Sequence, residues 1–314
     1  MGSIAYLRLN VNGFFVYRRA YRNYFRLIIH IIRKKYPIQA ILRDKTNRTI
    51  TLRNHLETNY YTSILLNKSI EYNALDNSIT IPSPSNTTEG KSKIKLYGAI
   101  NNGDSLSIFT DKIYEYLPVK GNTVIDIGAN IADSSIYFAL SGARKVIGIE
   151  PFPANYRLAK KNVETNNLSN KIKMILAGCG ANPGYITVDP DFQSIADSTI
   201  DFKEGVKVPL ITLENILDDN DILSSNDKTV LKMDCEGCEY DVILSCTEKT
   251  LRRISYIQLE YHFGYKNLKE KLEKCGFTVS FSRPLRLPNN RNAFKMTDSG
   301  PRNQYIGYIK AKRN

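Results

Sequence analysis

The chain has 314 residues, 42% hydrophobic and 24% charged, which is the composition of an ordinary folded protein with room for one large domain and an extension. No apolar run approaches the roughly 20 residues of a membrane-spanning helix, the opening MGSIAYLRLN lacks a signal-peptide layout, and Tyr6 stands where myristoylation needs Ser or Thr. Five cysteines, an odd number in a long chain, argue against a secreted disulfide framework and for a reducing cytoplasm.

The net charge of +13 would ordinarily point to nucleic acid or an anionic membrane. Its distribution narrows that inference. Residues 1–43 hold nine Lys/Arg and no acid, and residues 283–314 hold eight and one acid. The body, 44–282, has 27 basic and 30 acidic residues. The basicity therefore belongs to the two ends, and nucleic acid is disfavoured as a partner.

In chain order, residues 14–36 (FFVYRRAYRNYFRLIIHIIRKKY) read as one amphipathic helix stopped by Pro37. Phe14, Tyr17, Tyr21, Tyr24, Phe25, Ile28 and Ile32 recur at three- and four-residue steps, with Arg19, Arg22, Arg26 and Arg33 on another face. Such a helix is a candidate for peripheral contact with an anionic membrane. ILRD and RTITLR then flank a polar turn as a hairpin, and IPSPSNTTEGKSK, 81–93, reads as a linker.

After residue 120 short apolar runs alternate with helical stretches: NTVIDIGAN, KVIGIE, KIKMILAG, TVLKMDCEG and ISYIQLEYH. That alternation predicts an α/β fold with a Rossmann-like, mostly parallel sheet. FTVSFSR and QYIGYIKAK close the chain and predict an antiparallel edge. The expected organisation is an N-terminal helical and hairpin extension, 1–94, followed by a catalytic domain, 95–314.

The segment VIDIGANIADSS, 124–135, runs a strand into a turn and a helix start. Gly128 lets the backbone turn tightly, Asn130 tolerates unusual dihedrals, and the helix N-terminus offers free N–H groups. Asp126, Gly128, Ala129, Asn130, Asp133, Ser134 and Ser135 are the candidate cofactor-binding residues of this loop. Asn130 and Ala132 replace glycines of the dinucleotide fingerprint, which argues against a pyrophosphate ligand. The next strand ends in Glu150-Pro151, about 20 residues on, where an acid accepts ribose hydroxyls.

LKMDCEGCEY, 231–240, sets Asp234, Glu236 and Glu239 around Cys235 and Cys238. Zinc takes about four N/S ligands, and no second Cys/His pair lies nearby, so no metal is expected. A redox pair fits poorly with the acid-rich interior of the motif. Lys232 alternates on the same strand and is a partner for one of these acids. Glu260-Tyr-His262 ends the next strand, and His262 is a candidate general base for a hydroxyl acceptor. Were a metal needed, Asp234 and Glu260 would offer oxygens.

VIDIGANIADSSIYFALSGARKVIGIEPFPANYRLAKKNVETN, TLENIL and LKMDCEGCEYDVI together resemble the FkbM family of S-adenosylmethionine-dependent methyltransferases over roughly residues 95–282. One departure is Ala132, where the family usually has Gly. The resemblance implies a class I methyltransferase fold with a seven-stranded sheet and S-adenosyl-L-methionine as cofactor. It further implies O-methylation of a small-molecule or glycan hydroxyl. It makes Asp234 and Glu236 the functional acids and leaves Cys235 and Cys238 as packing residues. An RNA methyltransferase or RNA-binding protein using the basic termini is the alternative. Oligomeric state is open.

Overall fold

The structure is a computed structural model and describes residues 13–44, 46–84, 92–100, 104–191, 204–219, 228–286 and 305–313. The chain divides into two compact units, Met1–Ser83 with Gly90–Lys112, and Pro84–Glu89 with Ile113–Asn314. No helix among the described residues is long and apolar enough to cross a membrane.

The first unit opens with α1 (Gly13–Ala20) and α2 (Tyr24–Ile32), followed by the antiparallel hairpin β1 (Ile38–Ile41) and β2 (Thr49–Leu52). The single helix expected over 14–36 is therefore broken. Tyr21 leaves the helix to bridge Leu42, and the Asn23 side chain accepts from the Ile41 N–H and donates to the Gln39 carbonyl. The Arg22 N–H donates to the Ile41 carbonyl in place of a helical partner, and the Ala20 carbonyl accepts from the Arg43 N–H. Helix α3 (His55–Leu66) starts at Asn54, whose side chain accepts from the Glu57 N–H. A three-stranded sheet of β3 (Glu71–Asn73), β4 (Ser78–Pro82) and β5 (Lys93–Tyr97) then precedes α4 (Asp104–Phe109). The stretch read as a linker thus begins and ends in paired strands, and its residues 85–91 lie outside the described set.

The second unit is a doubly wound α/β layer structure. In chain order it contains β6 (Thr123–Ile127), α5 (Asp133–Leu140), β7 (Lys145–Glu150), α6 (Pro153–Thr165) and β8 (Ile172–Leu176). Strands β9 (Gly178–Cys179), β10 (Gly184–Val188) and β11 (Val206–Ile211) form a side sheet. Then come α7 (Leu213–Asp219), β12 (Thr229–Met233), α8 (Cys238–Ser245), α9 (Glu248–Leu251), β13 (Tyr256–Tyr261), α10 (Lys266–Lys274), β14 (Phe277–Phe281), β15 (Leu285–Arg286) and β16 (Tyr305–Arg313).

The main sheet runs β14-β16-β13-β12-β6-β7-β8, with β15 on β16. The five strands from β13 to β8 are parallel, and β16 is antiparallel to both neighbours, as the alternation and the two closing strands predict. Central strands β6 (TVIDI) and β12 (TVLKM) are buried at every position because helices cover both faces of a parallel sheet. Ile125, Ile127, Ile147, Leu231, Met233 and Ile257 form the middle of the core.

The chain leaves β6 toward β7 and β8 on one side, and returns through β12 and β13 on the other. That reversal puts a crevice at the carboxyl ends of β6 and β12, the place where open α/β sheets bind ligands.

Candidate functional site

Gly128 follows β6 with φ +76°, and an added Cβ would lie 1.9 Å from the Asp234 carbonyl oxygen. Only glycine lets the two strand ends approach this closely. Asn130 and Ala132 are also left-handed, at φ +48° and +65°. This conformation costs an alanine such as Ala132 roughly 1–2 kcal/mol. The loop is held from behind, where buried Asn162 on α6 donates to the Ile131 carbonyl at 2.9 Å.

Below the loop, Asp126 is fully buried and accepts from the hydroxyls of Ser134 and Ser135 at 2.7 and 2.6 Å. Lys232, its register partner on β12, lies 2.9 Å from its other oxygen and donates to the Gly128 carbonyl at 2.8 Å. Sequence spacing favoured an acid of the 234–239 turn as the partner of Lys232; the structure pairs it with Asp126 instead. Parallel pairing sets the two side by side, 106 residues apart in sequence. Burial opposes the Lys232 charge, but Asp126 and Asp234 outweigh it and hold the ammonium above the usual lysine range. A buried, hydrogen-bonded pair of this kind is a strut, since removing one partner strands a charge.

Of the loop residues singled out in the sequence, Asp126, Ala129, Asp133, Ser134 and Ser135 are buried. Gly128, Asn130 and Pro151 keep partial exposure. Glu150 caps β7 beside them. One of its oxygens accepts from the Asn130 N–H at 2.9 Å, and the other from the Phe152 N–H at 3.0 Å. The Phe152-bound oxygen also takes a long contact from the Asn155 amide at 3.5 Å, so the free lone pair is on the oxygen that faces Asn130. Burial pushes the Glu150 carboxyl up to about 7, against these hydrogen bonds.

On the β12 side, Asp234, Glu236 and His262 converge. His262 Nε2 is 3.1 Å from Glu236 Oε2, and its Nδ1 is 3.6 Å from Glu239 Oε1. Glu239 is fully buried and accepts from the N–H groups of Cys235 and Gly237, each at 2.8 Å. Burial works against charge on His262, yet Glu236 and Glu239 raise it well above the usual histidine range. Burial raises the Glu236 carboxyl, with His262 opposing. Glu239 ends below its usual range, because His262 and its backbone donors overcome burial. The two carboxyl groups thus favour the charged form of the ring, a setting that its own strand does not announce.

Asp234 makes no ion pair among the described residues. Its one side-chain partner is the hydroxyl of buried Tyr114, at 3.5 Å. Sequence reading passed over Tyr114, Glu239 as a histidine partner, and Asn162. Glu239 belongs to the LKMDCEGCEY segment and the other two to no motif, and the roles of all three come from contacts between distant segments.

Asp234, Glu236 and His262 each offer one ligand atom within 4.8 Å of the others, a carboxylate and imidazole set that a divalent cation takes. Glu236 holds the place in this set that sequence reading gave to Glu260.

Cys235 and Cys238, read as packing residues, form a disulfide. Glu236 and Gly237 are left-handed, at φ +57° and +119°. This reversal brings the cysteine Cα atoms to 5.5 Å, within bridging reach. Cys179, Cys246 and Cys275 are free.

Residues 126–279 match the family description "Methyltransferase FkbM domain". No curated protein matches the chain. Among solved structures, precorrin-6y C5,15-methyltransferase of Geobacter metallireducens GS-15 is 13% identical with a TM-score of 0.36, over 69% of this chain and 90% of that one. The METTL16 methyltransferase domain is 16% identical with a TM-score of 0.37, over 62% and 61%. M. capricolum TrmK, solved with S-adenosyl-homocysteine, is 15% identical with a TM-score of 0.34, over 63% and 65%.

Proposed function

We propose that the chain, whose residues 126–279 match the methyltransferase FkbM domain, is an S-adenosylmethionine-dependent O-methyltransferase acting on a hydroxyl of a small molecule or glycan. The observation that carries this reading is the division of the crevice. One wall is Glu150 with the Gly128–Asn130 loop, and the other is Asp234 with the Glu236–His262 pair.

The residues fit such a cofactor. A carboxylate at the end of the second strand, with one free lone pair and one long contact that a ligand hydroxyl could displace, suits a ribose diol. The cofactor supplies an electrophilic methyl group on a sulfonium. Glu150 and the Gly128–Asn130 loop would hold it with that methyl group presented to an acceptor oxygen on the Asp234 side of the crevice. The hydroxyl proton passes to the Asp234 carboxylate, the acid of this cluster outside an ion pair. Glu236, held by His262, orients the acceptor. Alignment of donor and acceptor is the larger part of the rate gain.

The test is formation of S-adenosylhomocysteine with the purified full chain over a panel of glycans, glycolipids, small hydroxylated metabolites and RNA. Turnover with a hydroxylated sugar or metabolite is expected. Turnover confined to RNA would replace the acceptor class, and an absence of cofactor binding by calorimetry would overturn the proposal. A chelation arm reads the donor set at Asp234, Glu236 and His262. Activity indifferent to EDTA is expected for proton transfer to Asp234; loss restored by Mg²⁺ or Mn²⁺ would make the three residues metal ligands.

A second expectation concerns the disulfide. The Glu239 bonds to the Cys235 and Gly237 N–H groups hold the turn without the sulfurs. Cys235→Ser/Cys238→Ser should therefore keep turnover within about fivefold, roughly 1 kcal/mol in barrier. A loss beyond about a hundredfold would give the sulfurs a direct part.

A further inference from the structure

We propose that α1 and α2 form a docking surface for an anionic lipid bilayer. These helices bury one side, with Tyr17, Ala20, Tyr21 and Leu27 inside the first unit. Their other side holds large apolar groups in water: Phe15 is 65% exposed, Phe25 61% and Ile32 75%, with Phe14 and Ile29 also exposed. Phe25, Ile29 and Ile32 are spaced i, i+4, i+7 and share one stripe of α2. Phe14 from α1 meets the Phe25 ring at 5.7 Å, so the two helices present one continuous apolar patch. Scattered exposed hydrophobics need no explanation, but a contiguous patch marks an interaction surface.

Charge decides the occupant. Arg18, Arg19, Arg22, Arg26, Arg33, Lys34 and Lys35 are all exposed, and none is ion-paired with another described residue. Arg26 and Arg33 each follow an apolar member of the stripe, about 100° further round the helix. A cation row beside a membrane-facing stripe sits at headgroup level when the stripe enters the acyl boundary. Beside α1, an open depression of about 560 Å³ is lined by Phe15, Arg18, Arg19, Arg43, Leu65, Leu66 and Lys68. Four cations over three apolar side chains suit a phosphate headgroup with its chain attached.

A second copy of the chain fits poorly, because an isologous contact would set these cations against themselves. Nucleic acid would use the arginines and could stack on the phenylalanines, but leaves Ile29 and Ile32 in water. An anionic bilayer uses every group.

The experiment is co-sedimentation of the full chain with neutral phosphatidylcholine vesicles and with vesicles carrying about 30% phosphatidylserine, at low and high salt. Two variants accompany it, Phe15→Ser/Phe25→Ser/Ile32→Ser and Arg18→Glu/Arg19→Glu. All five side chains lie on the exposed side, so circular dichroism should match the parent. Binding to the anionic vesicles at low salt is expected, weakened roughly tenfold or more by either variant and by salt. Pelleting with neither vesicle would overturn the proposal. So would anionic binding indifferent to the serine variant, or RNA binding in preference to vesicles. Sedimentation reads no methyl transfer, so this outcome and the enzymatic one stand apart.

Discussion

Replacing Asp234 by Asn should lower turnover about 10²–10⁴-fold while cofactor affinity stays within about threefold. The amide keeps the shape and the contact with Tyr114, so the fold is not at stake. What it loses is the capacity to take a proton as the acceptor oxygen attacks. Neighbouring groups are poorly placed to substitute. The His262 ring is engaged by Glu236 and Glu239, which favour its charged form, and Glu236 is held by that ring. Single-turnover rates and calorimetry on the same protein separate the two effects. Turnover within about tenfold of the parent would remove Asp234 from the chemistry. Affinity lost together with turnover would move Asp234 to the cofactor's side of the crevice.

Glu150→Ala should weaken S-adenosylmethionine binding by at least about a hundredfold. Two charge-assisted hydrogen bonds to ribose hydroxyls, one at the free lone pair and one displacing the long Asn155 contact, are worth roughly 1.5–3 kcal/mol each, and a single 1.4 kcal/mol is tenfold. The loop would also lose the acceptor that holds the Asn130 N–H. Glu150→Gln separates these parts, since the amide oxygen can still accept from one of them. The same carboxyl predicts a pH dependence. Burial sets it at about 7 in the free protein, and hydroxyl donors favour its charged form, so binding releases a proton. Affinity should therefore rise with pH up to about 7 and level off above, a slope that Glu150→Gln removes. Unchanged affinity in Glu150→Ala, or an identical pH profile in Glu150→Gln, would place the ribose elsewhere.

Much of the main sheet is legible in the sequence. Short apolar runs ending in Gly128, Glu150, Asp234 and His262 specify strands whose tips share one edge of a parallel sheet. Turn chemistry and strand period are local properties, written within a few residues. The N-terminal helices were half legible: their amphipathic period is local, but the break at Tyr21–Asn23 depends on bonds to a hairpin some twenty residues on.

Pairing across elements was decided by the tertiary structure alone. Lys232 could reach several acids by spacing, and the β12–β6 register gave it to Asp126. Tyr114 meets Asp234 from 120 residues upstream. His262 is a candidate base by sequence, and its partners Glu236 and Glu239 on the facing turn come from the fold. Cys235 and Cys238 meet because two left-handed residues fold their turn back, a conformation that residue type permits but does not dictate. In each case the deciding quantity is a through-space distance or a loss of solvent. Spacing along the chain constrains neither until the strands have paired and the helices have covered them.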